Sequence, residues 1–242
     1  SAMGTVKLQG IVIGERIQGE SNKQIVVLAK GVGRVLLSAR GARKAKSKLL
    51  AAAQLFCYAD FVAYEGRGFY SVTQAELLNS FYALRTDMEK LAEAVYLAEL
   101  TDRTCPEGTE QDEILALLYY ALTVMEKGIL PPQMVSRIFE LKLLQISGFF
   151  APPVCAVCGS EDGRLFFDWQ EGAFLCEKHH TPGSILLHGA VRRAAAFVLG
   201  HEVRQVFGFN LAPDALQQLE NLLGGYMEIH MGLKLKSRHF FR

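Results

Sequence analysis

VKLQGIVIGERIQGESNKQIVVLAKGVGRVLLSARG, residues 6–41, alternates short apolar runs with glycine and basic turns. Three runs stand out: Leu8-Gln9-Gly10-Ile11-Val12-Ile13, Gln24-Ile25-Val26-Val27-Leu28 and Gly33-Arg34-Val35-Leu36-Leu37. Runs of this length, rich in β-branched residues and bounded by turn formers, predict strands. A fourth run spans Ala53–Tyr64, and a fifth, Phe69-Tyr70-Ser71-Val72-Thr73, follows the turn Glu65-Gly66-Arg67-Gly68. Five short strands in roughly seventy residues suit a small closed barrel. Gly31, Gly33 and Gly41 would supply its turns and corners.

After Leu77 the spacing changes. Leu84, Met88, Leu91, Ala92, Val95, Leu97 and Ala98 recur at helical intervals. Further helices are predicted from about Glu110 to Met125, from Pro131-Pro132 to Ile146 before Gly148, around His188–Leu199, and around Pro213–His230. The shift of period divides the chain into an OB-type barrel, residues 5–78, and a helical domain, residues 79–242. Residues 1–4, opening Ser1-Ala2-Met3, read as a cloning remnant. The expected class is α+β: an N-terminal five-stranded OB-type barrel followed by an α-helical domain with an inserted zinc-binding module at about residues 150–182.

That insert carries Cys155-x-x-Cys158 and, one predicted hairpin later (Arg164–Asp168 and Gly172–Leu175), Cys176-x-x-His179. Paired ligands two residues apart let one tight turn aim two side chains at a single tetrahedral ion. A C-x-x-C pair alone also serves redox chemistry, but such a pair does not need the returning C-x-x-H. Four protein ligands leave no open position for water, so the expected Zn²⁺ is structural. His180 could present its imidazole in place of His179; the two-residue gap favours His179. Cys57 and Cys105 have no nearby partners and read as unpaired, buried cysteines.

Half of the 242 residues are apolar, enough for one large or two modest cores. No long apolar stretch reads as a membrane span and no signal segment opens the chain, so a soluble, non-exported, cytoplasmic protein without membrane contact is expected. Cysteines mostly committed to a metal fit a reducing compartment. Net charge is only +1, but up to Leu50 ten cations face two acids, whereas acids dominate from Asp60 to Glu113. A basic lobe of this kind suggests a polyanionic partner.

The densest cationic run is Arg40-Gly41-Ala42-Arg43-Lys44-Ala45-Lys46-Ser47-Lys48, five cations in nine residues without an acid. Such density neutralises phosphates and releases counterions, giving affinity with little sequence preference. Arg34, Arg40, Arg43, Lys44, Lys46 and Lys48 are therefore the candidate DNA-binding residues. Phe56, Tyr58, Tyr64, Phe69 and Tyr70 are candidates to stack on bases, with one or two at most facing a base and the rest in the core. Phosphate-loop, dinucleotide, zinc-protease and nucleophile-elbow motifs are all missing, and no catalytic residue is assigned. His201-Glu202 lacks the second histidine of a metalloprotease helix. The acids of Glu107–Glu113 could be imagined as a nuclease metal site, but suit a helix N-terminus better.

Several of these segments together resemble the RecO family of bacterial recombinational repair mediators. The likeness rests on Gly10-Ile11-Val12-Ile13, on Ala39-Arg40-Gly41-Ala42-Arg43-Lys44-Ala45-Lys46-Ser47, on Phe139-Glu140-Leu141-Lys142-Leu143-Leu144 with Gly148, on the Cys155–Gly159 knuckle, and on the closing Leu233-Lys234-Leu235-Lys236-Ser237-Arg238-His239-Phe240. It implies an OB domain, a zinc-bearing helical domain and no catalytic turnover. It also implies binding to single- and double-stranded DNA, annealing of complementary strands, work with RecR, recognition of the acidic C-terminal tail of SSB, and help in loading RecA on coated DNA. Such a protein would be cytoplasmic and nucleoid-associated. Arg40, Arg43, Lys44, Lys46 and Lys48 fall on the family's basic DNA-binding loop, and Arg137, Lys142, Arg192 and Arg193 are candidate cations for the SSB tail. At the fourth metal position many zinc-bearing relatives have cysteine, and this chain has His179. The competing readings are a metal-dependent nuclease using the acidic cluster and a zinc-containing RNA-binding adaptor.

Overall fold

β1 (Gly4–Gln18) is long enough to serve two neighbours. Its first half, Gly4–Ile11, pairs with β4 (Tyr58–Gly66), and its second, Gly10–Gln18, with β2 (Asn22–Ala29), both antiparallel. Where the two pairings overlap, the strand turns a barrel corner. Residue 10 can only be glycine there, because a Cβ on it would lie 2.1 Å from the Leu28 carbonyl oxygen. A register shift between Val12 and Gly14 adds to the bend. β3 (Gly33–Ala39) pairs antiparallel with β2, and β5 (Phe69–Asn79) with β4. A short parallel contact, Leu37 with Tyr70 and Ser38 with Ser71, closes the barrel in the order β1-β2-β3-β5-β4. The α+β class and the five-stranded OB-type barrel are thus as the sequence predicts. The coordinates form a computed structural model that describes residues 4–150 and 152–233; most of the closing Leu233–Phe240 stretch lies outside them.

The fourth strand is shorter than its apolar run. Residues 40–57 form turns, and the strand starts only at Tyr58. Ala42, Leu49, Ala52, Ala53 and Cys57 are buried in the barrel cluster with Val12, Ile25, Leu37 and Phe61, so their apolar character serves as a plug and not as strand alternation. Phe56, fully enclosed, has φ +73°, a left-handed conformation that breaks any extended path.

The described chain falls into two compact units divided between Glu126 and Lys127. In the first, α1 (Met88–Thr104) packs on β1, and α2 (Asp112–Glu126) lies against β1 and β2. Asp87 caps α1 by accepting from the Lys90 amide at 3.0 Å. Tyr119 of α2 meets Tyr58 and Phe81 edge-on, at centroid distances of 5.2 and 5.4 Å.

In the second unit α3 (Pro132–Ile146) is buried along its length from Met134 to Leu144 and contacts both α4 (Gly189–Gly200) and α5 (Pro213–Met231). Lys142 Nζ donates to the carbonyls of Val198 and His201 at 3.3 and 2.5 Å, closing the C-terminus of α4 where the macrodipole favours a cation. Arg137 is 3 % exposed and pairs with Glu140 and Glu220. Two of the four cations suggested for an acidic tail therefore face inward, because α3 is surrounded on all sides. The remaining strands, β6 (Leu165–Asp168), β7 (Ala173–Cys176) and β8 (Ile185–Leu186), form a small sheet in the order β7-β6-β8. The two-residue β8 carries no periodicity that a sequence could show. Among the described residues no helix is long and apolar enough to cross a membrane.

Gly10→Ala forces a methyl group against the Leu28 carbonyl and should cost about 1–3 kcal/mol. Urea unfolding checks this; an unchanged midpoint would contradict the close crossing of β1 over β2.

Candidate metal centre and cationic surface

Two knuckles build the metal centre. In the first, the Gly159 amide donates to the Cys155 carbonyl at 2.7 Å and the Cys155 amide to the Ser160 carbonyl at 3.0 Å, so the chain from 155 to 160 closes on itself. The second follows β7 directly, with the His179 and His180 amides both donating to the Cys176 carbonyl at 3.1 and 2.9 Å. The Ala156 amide donates to the Phe174 carbonyl at 2.8 Å and locks the first knuckle to the strand that carries the second.

Cys155, Cys158, Cys176 and His179 converge, with all four candidate ligand atoms within 4.8 Å of one another. The separations are 3.8 Å for Cys158 Sγ to Cys176 Sγ, 3.7 Å for Cys155 Sγ to His179 Nδ1 and 3.2 Å for Cys176 Sγ to His179 Nδ1. With metal–sulfur bonds near 2.3 Å and metal–nitrogen bonds near 2.0 Å, the corners of a tetrahedral zinc site lie about 3.5–3.8 Å apart. Two of the three separations match that range and the third is shorter, so the four side chains are gathered as a tetrahedral ion would need them and could hold one. His180 turns away and stacks on Phe166 at 4.1 Å. Burial opposes a thiolate at Cys155, but the amides of Cys158, Cys176 and Val157 and the His179 ring outweigh it and draw the thiol down to about 6. At Cys158 the Ser160 amide favours the thiolate, yet desolvation and the Cys155 and Cys176 thiols push it up.

Asp168, which sequence reading passed over, clamps this module. It accepts from the Thr181 hydroxyl at 2.6 Å and from the Gln170 and Glu171 amides at 2.9 and 3.2 Å, and the Thr181 bond leads in holding its carboxyl below the usual range. An aspartate two residues before a Gln-Glu-Gly turn is a signal for such an Asx arrangement. Cys57 and Cys105 are buried and form no disulfide.

On the barrel, Arg40, Arg43, Lys44, Lys46 and Lys48 are all exposed on the segment that follows β3. Lys23 of β2, 4 % exposed, reaches along the inside of the barrel and donates Nζ to the Ala53 carbonyl at 2.7 Å, with Glu15 at 3.5 Å. Glu15 in turn accepts from the Leu55 amide at 2.5 Å, and the Phe56 amide bonds the Val12 carbonyl at 2.9 Å. Arg43 ties the near end to the β1–β2 turn through the Gly19 carbonyl at 2.6 Å. The role of Lys23 was legible in principle, since it shares the inward face of β2 with Ile25 and Val27.

Arg34 has a different setting. Its Nε donates to Asp102 of α1 at 2.6 Å and its guanidinium lies 4.0 Å from Glu107. Two further acids of the cluster are also engaged, Asp112 accepting from the Gly31 amide and Glu110 from the Asp112 amide, each at 2.7 Å. Among the described residues, the cysteine–histidine cluster alone gathers three or more ligands suited to a metal. Of the candidate stacking aromatics, Phe56 is enclosed, Tyr58 and Tyr70 are half-buried, and Tyr64 and Phe69 are 42 % and 54 % exposed.

A closed OB-type barrel with a cation-studded segment, followed in the chain by a helical unit that carries a cysteine–histidine knuckle, defines a class of two-unit barrel proteins. Residues 3–81 match the family model described as "Recombination protein O N terminal", and residues 85–239 that described as "Recombination protein O C terminal". The chain belongs to the RecO family. It is 32% identical to "DNA repair protein RecO" of Alkaliphilus metalliredigens, with 93% of this chain and 94% of that protein covered. It is 30% identical to the proteins of the same name from Acetivibrio thermocellus (93% and 92% covered) and Halalkalibacterium halodurans (97% and 93%).

His179→Ala should lower the metal retained after dialysis, measured by atomic emission, whereas His180→Ala should leave it unchanged. The reverse result would mean that the second knuckle presents the other imidazole.

Proposed function

We propose that this chain is a non-enzymatic mediator of recombinational DNA repair, cytoplasmic and associated with the nucleoid. It binds single- and double-stranded DNA, anneals complementary strands, and helps a recombinase load on DNA coated by SSB. The observation that carries this reading is the anchored segment with Arg40, Arg43, Lys44, Lys46 and Lys48 exposed and, among the described residues, in no ion pair. Cations without carboxylate partners are the ones available to phosphates. Arg34, neutralised by Asp102, contributes less. Family membership and the printed names of the relatives support DNA repair as the setting.

Annealing needs no nucleotide in this account. A surface that neutralises two backbones lowers the repulsion between strands and raises their local concentration, and base pairing supplies the driving force. RecR and the acidic SSB tail are the proposed protein partners, on the strength of the family resemblance. The nuclease alternative gains no support from acids engaged by Arg34 and by backbone amides, and no observation favours RNA over DNA.

The ion proposed for the cysteine–histidine cluster is structural Zn²⁺, held by Cys155, Cys158, Cys176 and His179. It would supply folding free energy and no reaction step. Chelation should lower the melting temperature of the second unit; an identical melting curve after verified metal removal would contradict a structural role.

Replacing Lys44, Lys46 and Lys48 together with Glu should weaken DNA binding at least roughly tenfold at low salt and flatten the plot of log affinity against log salt by about 3 for duplex, close to one per lost phosphate contact. Unchanged affinity and slope would overturn the assignment.

A further inference from the structure

We infer that the tip of the β4–β5 hairpin, with Tyr64 and Phe69, is the base-stacking part of the DNA surface and makes that surface favour single strands. The inference rests on the DNA-binding reading and locates within it the groups that touch bases. Three of the five aromatics named above are spent elsewhere. Phe56 is enclosed, Tyr58 donates to Gln9 at 2.6 Å and packs on Tyr119, and Tyr70 turns inward and bonds Glu65 at 3.2 Å. Tyr64 and Phe69 remain, two large rings facing solvent on one hairpin.

Phe69 is held in place and not merely left outside. It pairs with Gly66 across the hairpin, and a Cβ at position 66 would lie 2.3 Å from Phe69 Cζ and 2.4 Å from Cε1. The absence of a side chain at 66 lets the ring fold back over the hairpin backbone. A ring with its position set before binding loses little freedom on stacking. Arg67 stands exposed between the two positions and, among the described residues, makes no ion pair.

Register connects this tip to the cationic segment. Tyr64 is opposite Ser71, and Ser71 is opposite Ser38, so the outward face runs from Tyr64 across β5 to β3 in two strand spacings, about 10 Å. Arg40, two residues beyond Ser38, continues that face into the basic segment. The rings and the start of the cationic segment thus share one barrel face, within the span of the roughly 4–16 nucleotides that an OB barrel contacts. Unpaired bases offer faces to Tyr64 and Phe69, and bases stacked in a duplex do not.

The test is fluorescence anisotropy of the full chain with an oligothymidylate and with a duplex of equal length, across a salt series. Tyr64→Ala with Phe69→Ala should weaken oligothymidylate binding roughly 5- to 100-fold, leave its salt slope unchanged because no charge is lost, and leave duplex affinity unchanged. Phe69→Tyr should retain binding, and Gly66→Ala, which displaces an intact Phe69, should weaken it. Unchanged oligothymidylate affinity, or an equal loss on duplex, would overturn the inference. If the lysine reversals weaken binding and the aromatic substitutions do not, this inference alone fails; if the unmodified chain binds neither DNA, the functional reading fails with it.

Discussion

Five cations in nine residues repel one another, and a free loop of that composition would spread into solvent. What holds this one is the plug behind it. Leu49, Ala52, Ala53 and Cys57 close the barrel end, and the Lys23 ammonium inside the barrel fixes the Ala53 carbonyl with Glu15 as counter-charge. A buried ammonium persists only when paired and hydrogen-bonded, so Lys23, Glu15 and the backbone of 53–55 depend on one another. The barrel closure and the cationic display are therefore one construction. Loss of the Lys23 bond would leave a buried carbonyl unsatisfied at a cost of about 1–3 kcal/mol, while the Phe56–Val12 and Arg43–Gly19 bonds and the apolar plug would still hold the segment to the strands.

The second unit solves a different problem. Strands of four and two residues are too short to stand alone. Their inner face is filled by aromatic rings, with Phe150 against Tyr226 of α5 at 4.6 Å and Phe167 against Phe174 at 5.2 Å. The Tyr226 hydroxyl donates to the Phe149 carbonyl at 2.7 Å and Trp169 Nε1 to the Leu222 carbonyl at 3.2 Å. One side of the small sheet is thus fastened by rings to α5, and the other ends in the two knuckles, where four convergent ligands would provide what short strands cannot.

Much of this was legible in the sequence because its signals are local. The strands announced themselves through β-branched runs between glycines, the helices through apolar spacing and Pro at their starts, and the knuckles through two-residue gaps. The start of β4 was misread because Ala52, Ala53 and Cys57 are apolar for a tertiary reason that no period encodes. The inward orientation of Arg137 and Lys142 was hidden for the same reason: a charge on a helix looks solvated until other helices surround it. Which aromatics face solvent depends on strand register, which single runs do not specify, and only the pairing of Gly66 with Phe69 shows why one glycine matters.

The central claim is that a barrel-anchored cation array brings DNA strands together by neutralising phosphates, without turnover. The most direct measurement is the annealing rate of two complementary oligonucleotides coated with a single-strand binding protein, followed by fluorescence quenching without nucleotide or magnesium, over a series of salt concentrations. The account predicts rapid annealing that depends on the protein and fades steeply as salt rises. Annealing that requires nucleotide or magnesium, or a protein-dependent acceleration indifferent to salt, would contradict it.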